Sequence, residues 1–325
     1  MHKLKKWRIA VSTAFFVMFL WAFMGILPQN EYFTHTVSAL QFFPSFLEFT
    51  VTFLAGGGAG FIIILVLTLL FGRVYCSFLC PLGFLQDVII RMKSKIRSPG
   101  SGVKYMKSPA VMHYAVTAAV IVMLALGSSA LLGALDPFAN FGRMTVNLLK
   151  PLYAKLNNLL VVLFSYTGVH PLSPVKLHAA SPHAMVFTAG FLALIALLSL
   201  WKGRLYCNTL CPAGGILSLA SRKTAYKLVF EEGKCNSCGM CEAACKANCI
   251  DAEKRKVDMS RCVMCFNCLS ACKKGAIDYI AAGKKRAQFD SGRRESIKAM
   301  AAAAAGIAAS LLPARAMADK VGGKA

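Results

Sequence analysis

The chain has few acidic residues and few charged residues of any kind. Its 325 residues include 14 aspartates and glutamates against 37 lysines and arginines, and 16% of all residues are charged while 57% are hydrophobic. This composition excludes an ordinary soluble domain and indicates a membrane protein. Four stretches are long and apolar enough to span a bilayer, at about 8–27, 46–71, 111–135 and 183–201, and an Ala-rich fifth at about 297–313 is weaker.

Basic residues are scarce in two regions, and this pattern accounts for the net charge of +23 without nucleic-acid binding. Residues 28–45 hold no lysine or arginine and residues 136–182 hold four, whereas residues 202–295 hold eighteen. The alternation is the positive-inside bias of membrane proteins. It predicts a multi-pass protein of the bacterial inner (cytoplasmic) membrane, with the N-terminus, the 72–110 loop and the region after residue 201 in the cytoplasm and with membrane lipid, not nucleic acid, as a partner.

Three further features are missing. The first apolar segment has no small-residue cleavage pattern, so it is expected to be an anchor and not a secretory signal. No two histidines lie at one membrane depth, because His113 and His183 open their spans from opposite sides, which argues against haem. No acid–base or nucleophilic constellation is found.

The thirteen cysteines are expected to bind metal, because cytoplasmic thiols stay reduced.

Two copies of one cysteine motif occur at residues 72–83 and 203–214. Both read G-R-[VL]-Y-C-x-x-L-C-P-x-G. Each copy follows the second span of a two-span pair, so the membrane part is predicted to consist of two parallel repeats related by a pseudo-twofold axis along the membrane normal. The four cysteines, called the CxxxCP thiols below, would then face each other at the cytoplasmic edge. They are Cys76, Cys80, Cys207 and Cys211.

A second motif, CxxCxxCxxxC, begins at Cys235 and again at Cys262. Thiolates at this spacing ligate [4Fe–4S] clusters, and the fourth cysteine of each copy serves the other cluster. The predicted ligands of the two clusters are Cys235, Cys238, Cys241 and Cys272 for the first and Cys262, Cys265, Cys268 and Cys245 for the second. Lysine stands where proline usually follows the fourth cysteine, at Lys246 and Lys273. Cys249 is predicted to be a small buried apolar residue and not a ligand.

These motifs resemble the membrane-bound polyferredoxins typified by the NapH subunit of periplasmic nitrate reductase systems and by the C-terminal half of NosR. The resemblance covers residues 1 to about 282. It implies an electron-transfer protein, in effect a quinol dehydrogenase subunit, that takes electrons from quinol and passes them to a periplasmic or membrane reductase, directly or through a partner such as a cytochrome. The CxxxCP thiols match the family's CxxxCP pairs, and the eight cluster cysteines match its cytoplasmic ferredoxin module.

The role of the CxxxCP thiols stays open at the level of sequence. Their number suits a third cluster, but CxxxC is not a standard cubane spacing, so redox-active dithiols or structural corners are equally expected. Arg73 and Arg204 could donate hydrogen bonds to sulfur, although interfacial anchoring is the preferred interpretation. Tyr75 and Tyr206 resemble aromatic residues of a membrane interface. Asp136 either accepts a quinol proton or, as the preferred interpretation, terminates a helix with the proline after it.

The predicted fold is an all-α polytopic membrane domain of four transmembrane helices followed by a small α+β ferredoxin-like domain with two [4Fe–4S] clusters. The predicted segments are a transmembrane domain at 1–202, the second CxxxCP motif with a linker at 203–228, the ferredoxin domain at 229–282 and a hydrophobic tail at 283–325. The tail contains Arg293 and Arg294 before an Ala-rich run and resembles a twin-arginine export signal, so a fifth span is expected there.

The sequence predicts an iron–sulfur electron-transfer protein linked to the quinol pool. Two alternatives remain from other functional classes. One is an accessory, maturation or regulatory iron–sulfur protein for a partner metalloenzyme. The other is an anchor subunit that docks another redox enzyme.

Overall fold

The computed structural model of the chain describes residues 2–25, 31–51, 59–96, 105–106, 110–165, 173–175, 181–231 and 233–282. Residues Met1–Ala282 form one compact unit. The hydrophobic tail at 283–325, with its twin arginines and its expected fifth span, lies outside the described residues.

The first repeat is helical throughout its described part. Its helices are α1 (His2–Met24), α2 (Glu31–Ala39), α3 (Phe42–Val51), α4 (Ala59–Phe71), α5 (Tyr75–Phe78) and α6 (Pro81–Ile96). The first CxxxCP motif occupies the corner between α5 and α6. Proline is suited to the first position of α6, because that position needs no hydrogen-bonding N–H group.

The second repeat has the same order of elements, with one long insertion. Its helices are α7 (Ala110–Ala125), α8 (Ala130–Leu135), α9 (Pro137–Met144), α10 (Lys150–Ser165), α11 (Pro182–Lys202), α12 (Leu205–Thr209) and α13 (Pro212–Ser221), with a π-helical turn at Thr145–Leu149 between α9 and α10. The second CxxxCP motif lies at the corner between α12 and α13, as the first does between α5 and α6. The repeat predicted from the motifs therefore extends to the helices around them.

Two described helices are long and apolar enough to cross a membrane, Lys3–Met24 and Pro182–Lys202. The predicted third span at 111–135 is broken, because Gly127 adopts a φ of +82° and ends α7. The N–H of Ser128 bonds to the carbonyl of Met123 at 2.9 Å, which closes the helix end as in a Schellman motif. The described residues therefore do not show four continuous transmembrane helices.

The predicted second span is also divided. Its residues fall into α3 and α4, and residues 52–58 between them lie outside the described part. The two helices pack on each other, because the ring of Phe61 in α4 lies 5.2 Å from that of Phe42 and 5.1 Å from that of Phe46 in α3. The N–H of Phe61 also donates to Ser45 Oγ at 2.7 Å. Hydropathy alone had merged two packed helices into one span.

The ferredoxin-type part follows α13 and contains two small antiparallel sheets. Its elements are β1 (Tyr226–Phe230), α14 (Met240–Ala243), β2 (Ile250–Asp251), β3 (Lys256–Val257), α15 (Asn267–Ala271) and β4 (Ile277–Ala281). Strand β1 pairs with β4 from Tyr226 opposite Ala281 to Phe230 opposite Ile277, and β2 pairs with β3. The pairing of β1 with β4 starts the domain at Tyr226, a little before the boundary of 229 expected from the motifs.

One apolar core joins the helical repeats to the ferredoxin-type part. Its buried members include Tyr75 and Cys76 of the first repeat, Leu217 of the second, and Met264 and Ile277 of the ferredoxin part. A smaller cluster around Phe19, Val37 and Phe141 holds α1 against α2 and α9. The ferredoxin-type part is thus packed on the helices and not connected to them by a free linker.

Candidate iron–sulfur sites

The four CxxxCP thiols are brought together in the core between the two repeats. All four side chains are buried. Each lies within electrostatic range of thiols from the opposite repeat, because Cys80 senses Cys207 and Cys211 senses both Cys76 and Cys80. Burial raises the pKa of Cys207 to about 11 and raises the pKa of Cys211 as well, so both are neutral thiols in the absence of metal.

The second cysteine of each motif caps the helix that follows it. The N–H of Gly83 donates to Cys80 Sγ at 3.4 Å, and the N–H of Gly214 donates to Cys211 Sγ at 3.4 Å. The two sulfurs therefore face the positive end of a helix, which favours the thiolate form and partly offsets the effect of burial. The C-P-x-G part of the motif places these sulfurs, because proline begins the helix and glycine supplies the N–H.

The arginine of each motif crosses to the opposite repeat. Arg73 Nη2 donates to the carbonyl of Cys207 at 2.9 Å, and Arg204 Nη1 donates to the carbonyl of Cys76 at 2.6 Å. Both side chains have 0% exposure, so the preferred interpretation of these residues as interfacial anchors is wrong. The exchanged arginines tie each CxxxCP loop to its counterpart.

The motif glycines make room for these contacts. A Cβ atom on Gly214 would overlap the carbonyl of Cys207 and would lie 2.8 Å from Arg73 Nη2, and one on Gly83 would overlap the carbonyl of Cys76. Gly203 has a φ of +69°, and a Cβ there would overlap the carbonyl of Lys246 in the ferredoxin-type part. The fixed glycines of the repeated motif therefore reflect close backbone packing.

The tyrosine of each motif reaches a helix break in its own repeat. Tyr75 Oη donates to Gln41 Oε1 at 2.8 Å, between α2 and α3, and Tyr206 Oη donates to the carbonyl of Leu135 at 2.6 Å, between α8 and α9. These two breaks are called the elbows below. Both tyrosines are buried and not placed in an interfacial belt, which corrects the expectation from sequence. The elbows share the pattern A-L-[QD]-x-F at 39–43 and 134–138, a repeat signal that the motif search missed.

Asp136 lies at the second elbow, where it ends α8, as the preferred interpretation predicted, and also begins α9. Its Oδ2 accepts the N–H of Ala139 at 2.7 Å, and Pro137 occupies the first position of α9. Burial raises the pKa of Asp136 to about 6, although the N–H groups at the start of α9 and the charge of Arg143 act in the opposite direction. The carboxyl lies within electrostatic range of the Tyr75 and Tyr206 hydroxyls, so it stands between the two repeats.

Asp87 is a charged centre that sequence reasoning missed. Its carboxylate contacts Arg8 at 2.6 Å, Arg204 at 2.8 Å and Lys246 at 3.1 Å. Burial opposes ionisation, but the three cations outweigh it and hold the pKa of Asp87 well below its usual range. The sequence feature that could have identified it is that Asp87 is the only acidic residue between positions 72 and 110.

The first predicted ferredoxin set surrounds an open cavity. Cys235, Cys238, Cys241 and Cys272 all line this cavity, which has a volume of about 210 Å³. Cys238 is exposed and Cys241 is buried, so the site faces the surface on one side. Burial raises the pKa of Cys241 to about 11, which metal ligation would have to overcome. The four thiols match the donor set of a cubane cluster.

The second predicted set is closed and buried. Cys245, Cys262, Cys265 and Cys268 line a cavity of about 10 Å³ together with Cys249. Cys245 Sγ lies 3.5 Å from Cys249 Sγ, and this contact lowers the pKa of Cys245 to about 7. Cys249 is buried, as expected, and its S–H group can donate to the sulfur of Cys245, a predicted ligand. Within the described ranges no three His, Cys, Asp or Glu side chains are grouped to hold a single metal ion.

The second set lies next to the CxxxCP thiols. The N–H of Arg204 donates to the carbonyl of Lys246 at 2.8 Å, and Asn208 Nδ2 donates to the carbonyl of Ala247 at 3.3 Å. The guanidinium of Arg204 is within electrostatic range of both Cys207 and Cys265. A single side chain therefore connects the repeat interface with the ligands of the second ferredoxin set.

Comparison with known proteins finds similarity to an iron–sulfur binding domain at both repeats. Residues 53–99 and 183–230 match the family Fer4_5, described as a 4Fe-4S binding domain, and these segments contain the two CxxxCP motifs. The chain is also similar to two proteins of Methanocaldococcus jannaschii. It is 27% identical over 233 residues to "Uncharacterized protein MJ0749", covering 70% of this chain and 75% of the relative. It is 28% identical over 270 residues to "Uncharacterized protein MJ0750", covering 80% and 96%.

No solved structure matches the chain. The family match is independent of the tandem CxxCxxCxxxC motif, because it falls outside residues 235–272. The matches do not single out the NapH and NosR proteins among iron–sulfur proteins. The chain is a mostly helical iron–sulfur protein with a ferredoxin-type domain and a twice-repeated 4Fe–4S binding domain.

Proposed function

We propose that this protein is an integral membrane electron carrier in which two ferredoxin-type [4Fe–4S] clusters exchange electrons with a membrane quinol and pass them to a reductase or cytochrome partner. The observation that carries the proposal is the docking of the second ferredoxin thiol set on the CxxxCP segments through Lys246 and Arg204. A redox site held in contact with apolar helices is what electron transfer between a membrane carrier and the cytoplasm requires.

The outer faces of the long helices support a membrane location. Trp7 of α1 is 66% exposed, and Val186 and Leu197 of α11 are 73% and 67% exposed. Large apolar side chains on a continuous face are stable against lipid and unfavourable in water. The remaining crossings would be made by the shorter apolar helices α3, α4 and α7 together with their neighbours.

The charged ends of the same helices support the orientation. The N-terminal part of α1 reaches the ferredoxin-type part, because Arg8 and Lys246 bind the same carboxylate. The C-terminal end of α11 reaches it too, because Asn248 Nδ2 donates to the carbonyl of Lys202 at 2.7 Å. Both ends are basic, and by the positive-inside rule this supports a cytoplasmic location for the ferredoxin-type part.

The elbows are the best candidate for the quinol site. Breaks in corresponding helices of two repeats commonly form the binding sites of membrane proteins. Gln41 is completely buried, and its Nε2 has no hydrogen-bond partner among the described residues, so it is a donor suited to a quinol oxygen. Asp136, at the other elbow, is a carboxylate suited to accept a proton.

The electrons and protons of the proposed reaction balance. Each bound cluster supplies a one-electron redox couple. Oxidation of one quinol to quinone releases two electrons and two protons, which two one-electron couples and two bases can take up. The carboxylate of Asp136 accepts one proton, and the other passes to water. The eight predicted ferredoxin cysteines would hold the two clusters in the sets described above.

The test uses the full chain purified anaerobically and placed in liposomes with a menaquinol analogue. We expect the visible absorbance of the clusters to bleach when the quinol is added, and Asp136→Asn to slow the bleaching at least tenfold. Glu253→Gln, a change at an exposed carboxylate of the ferredoxin-type part, is the control and should leave the rate unchanged. Clusters that dithionite reduces but quinol never does would indicate an accessory or regulatory iron–sulfur protein instead.

A further inference from the structure

The repeated 4Fe–4S binding segments each contain only half of a cluster site. Residues 53–99 include Cys76 and Cys80 as their only cysteines, and residues 183–230 include only Cys207 and Cys211. A cubane cluster needs four protein ligands. Neither segment can therefore complete a cluster by itself, although both match a domain described by that chemistry.

We propose that the four CxxxCP thiols together hold one iron–sulfur cluster, shared between the two repeats and separate from the two ferredoxin clusters. The buried thiols meet in the core between the repeats. The exchanged arginines hold the two CxxxCP loops together through the carbonyls of Cys76 and Cys207. The site itself needs no quinol, and only its role as a relay rests on the proposed function.

The charges around the thiols call for a buried anion. Arg73 is fully buried, and among the described residues it contacts a side-chain amide, two backbone carbonyls and the sulfur of Cys76 but no carboxylate. Nearby, the single carboxylate of Asp87 faces the three cations Arg8, Arg204 and Lys246. Three cations share one carboxylate and Arg73 has none, so positive charge is buried without compensation, which is costly.

A cluster with four thiolates supplies that anion. Iron ligation removes the thiol protons, and the resulting cluster carries a net negative charge. Four neutral thiols, or two disulfides, would leave the same cations unbalanced. The charge of the surroundings therefore distinguishes a bound cluster from the dithiol and structural alternatives.

Buried donors without partners provide a second, independent indication. Gln86 Nε2 and Arg73 Nε are buried and have no hydrogen-bond partner among the described residues. The Gln86 side chain touches the thiol set, because its Oε1 lies 3.4 Å from Cys207 Sγ. Unused N–H groups beside cysteine sulfur are the donors that bind cluster sulfurs and set their reduction potential.

The shared cluster would exchange single electrons with the second ferredoxin cluster. Arg204 lies within electrostatic range of Cys207 on one side and Cys265 on the other. In such a step one cluster loses an electron and its neighbour gains it, and no bond is made or broken. Tyr75 and Tyr206, which contact the elbows, directly precede Cys76 and Cys207 in sequence. The shared cluster would therefore lie between the elbows and the ferredoxin-type part.

The decisive measurement is iron and acid-labile sulfide per full-length chain after anaerobic purification. Three clusters give about twelve irons per chain and two give about eight. We expect the higher value for the unmodified protein. We further expect Cys76→Ser and Cys207→Ser to lower it by the same third, and the double variant to lower it no further, because both cysteines belong to one site. Glu253→Gln, a change at an exposed position of the ferredoxin-type part, is the control and should keep all the iron.

Spectroscopy keeps the result interpretable if the variants are unstable. The electron paramagnetic resonance signals of the two reduced ferredoxin clusters should persist in Cys76→Ser, which would show that the chain is folded. About eight irons in the unmodified protein, or full iron retention in both single variants, would overturn the proposal. Reduction of the clusters by quinol is measured separately, so failure of the quinol link leaves the iron count as a valid test of the shared site.

Discussion

The two repeats share a motif but differ in how their charges are matched. In the first repeat, Arg73 is surrounded by amide, carbonyl and sulfur groups, and the elbow carries the neutral Gln41. In the second, Arg204 pairs with Asp87 and the elbow carries the acidic Asp136. The repeated motif therefore brings the four thiols together, whereas the residues that differ between the repeats give the two sides of the four-thiol site different charges. Substitutions at equivalent positions of the two repeats should therefore have different effects.

The largest effect is expected at the buried carboxylate of Asp87. Asp87→Asn removes the anion that three cations share, and loss of one partner of a buried ion pair costs about 3–5 kcal/mol. We expect the free energy of unfolding to fall by this amount, measured by denaturant titration of the protein in detergent. Glu253→Gln, at an exposed position, should change it little. An unchanged stability in Asp87→Asn would show that the three cations are not held by this group.

Acid should mimic this substitution. The pKa of Asp87 is depressed in the folded protein, so its stabilisation is complete above the ordinary aspartate pKa of 3.8 and is lost as the pH falls below that value towards the folded pKa. The expected result is a steeper loss of stability below about pH 4 in the unmodified protein than in Asp87→Asn. Parallel pH profiles for the two proteins would contradict the assignment.

The next effect concerns the arginines. Arg73→Gln removes a buried positive charge that lies within electrostatic range of Cys76, Cys207 and Cys211, so it should lower the reduction potential of the proposed shared cluster most. Arg204→Gln should lower the potentials of two clusters, because Arg204 is within range of Cys207 and Cys265. Redox titration followed by electron paramagnetic resonance separates these outcomes. Identical shifts in both variants would remove the proposed difference between the repeats.

The elbows should differ in their dependence on pH. Asp136 accepts a proton only when ionised, and its pKa is raised to about 6, so quinol-dependent cluster reduction should slow as the pH falls through about 6. Asp136→Asn should be slow at every pH and lose this inflection. Gln41→Leu should weaken quinol binding and keep the inflection. An Asp136→Asn profile that keeps the inflection near this pH would assign the titration to a group other than Asp136.

The smallest effect is expected for the tyrosine hydroxyls. Tyr75 joins the side chain of Gln41 and the N–H of Phe42, whereas Tyr206 makes one bond to the carbonyl of Leu135. Removal of a buried hydrogen bond costs about 0.5–1.5 kcal/mol, so Tyr75→Phe should be the more destabilising change of the two by a margin in that range. Thermal unfolding followed by circular dichroism would test this order, which equal melting temperatures would contradict.

Much of this architecture can be predicted from the sequence because cysteine spacing and repeated motifs are local signals. The repeat at 72–83 and 203–214 correctly indicates that α5–α6 and α12–α13 are equivalent corners. The assignment of individual ferredoxin cysteines to clusters stays a prediction, although the chain folds each proposed set around a common cavity.

Other features depend on contacts between distant segments and leave no local signal. The crossing of Arg73 and Arg204 joins residues 134 and 128 positions apart in sequence, and hydropathy favours an interfacial place for both. Asp87 resembles an ordinary polar residue of an amphipathic helix until Arg8 and Lys246 are folded against it. The broken third span was visible in principle, since Gly127 is followed by two serines, but a long apolar window conceals a turn.

The contacts of Asp87 also impose an order on biosynthesis. A chain made from its N-terminus supplies Arg8 and Asp87 early, Arg204 much later and Lys246 last. The carboxylate therefore lacks its last two cationic partners until the ferredoxin-type part has left the ribosome and packed against the helices. The four-thiol site is likewise incomplete until Cys211 has been made. Under the two proposals above, iron would enter the repeat interface late, after the second repeat has been inserted into the membrane.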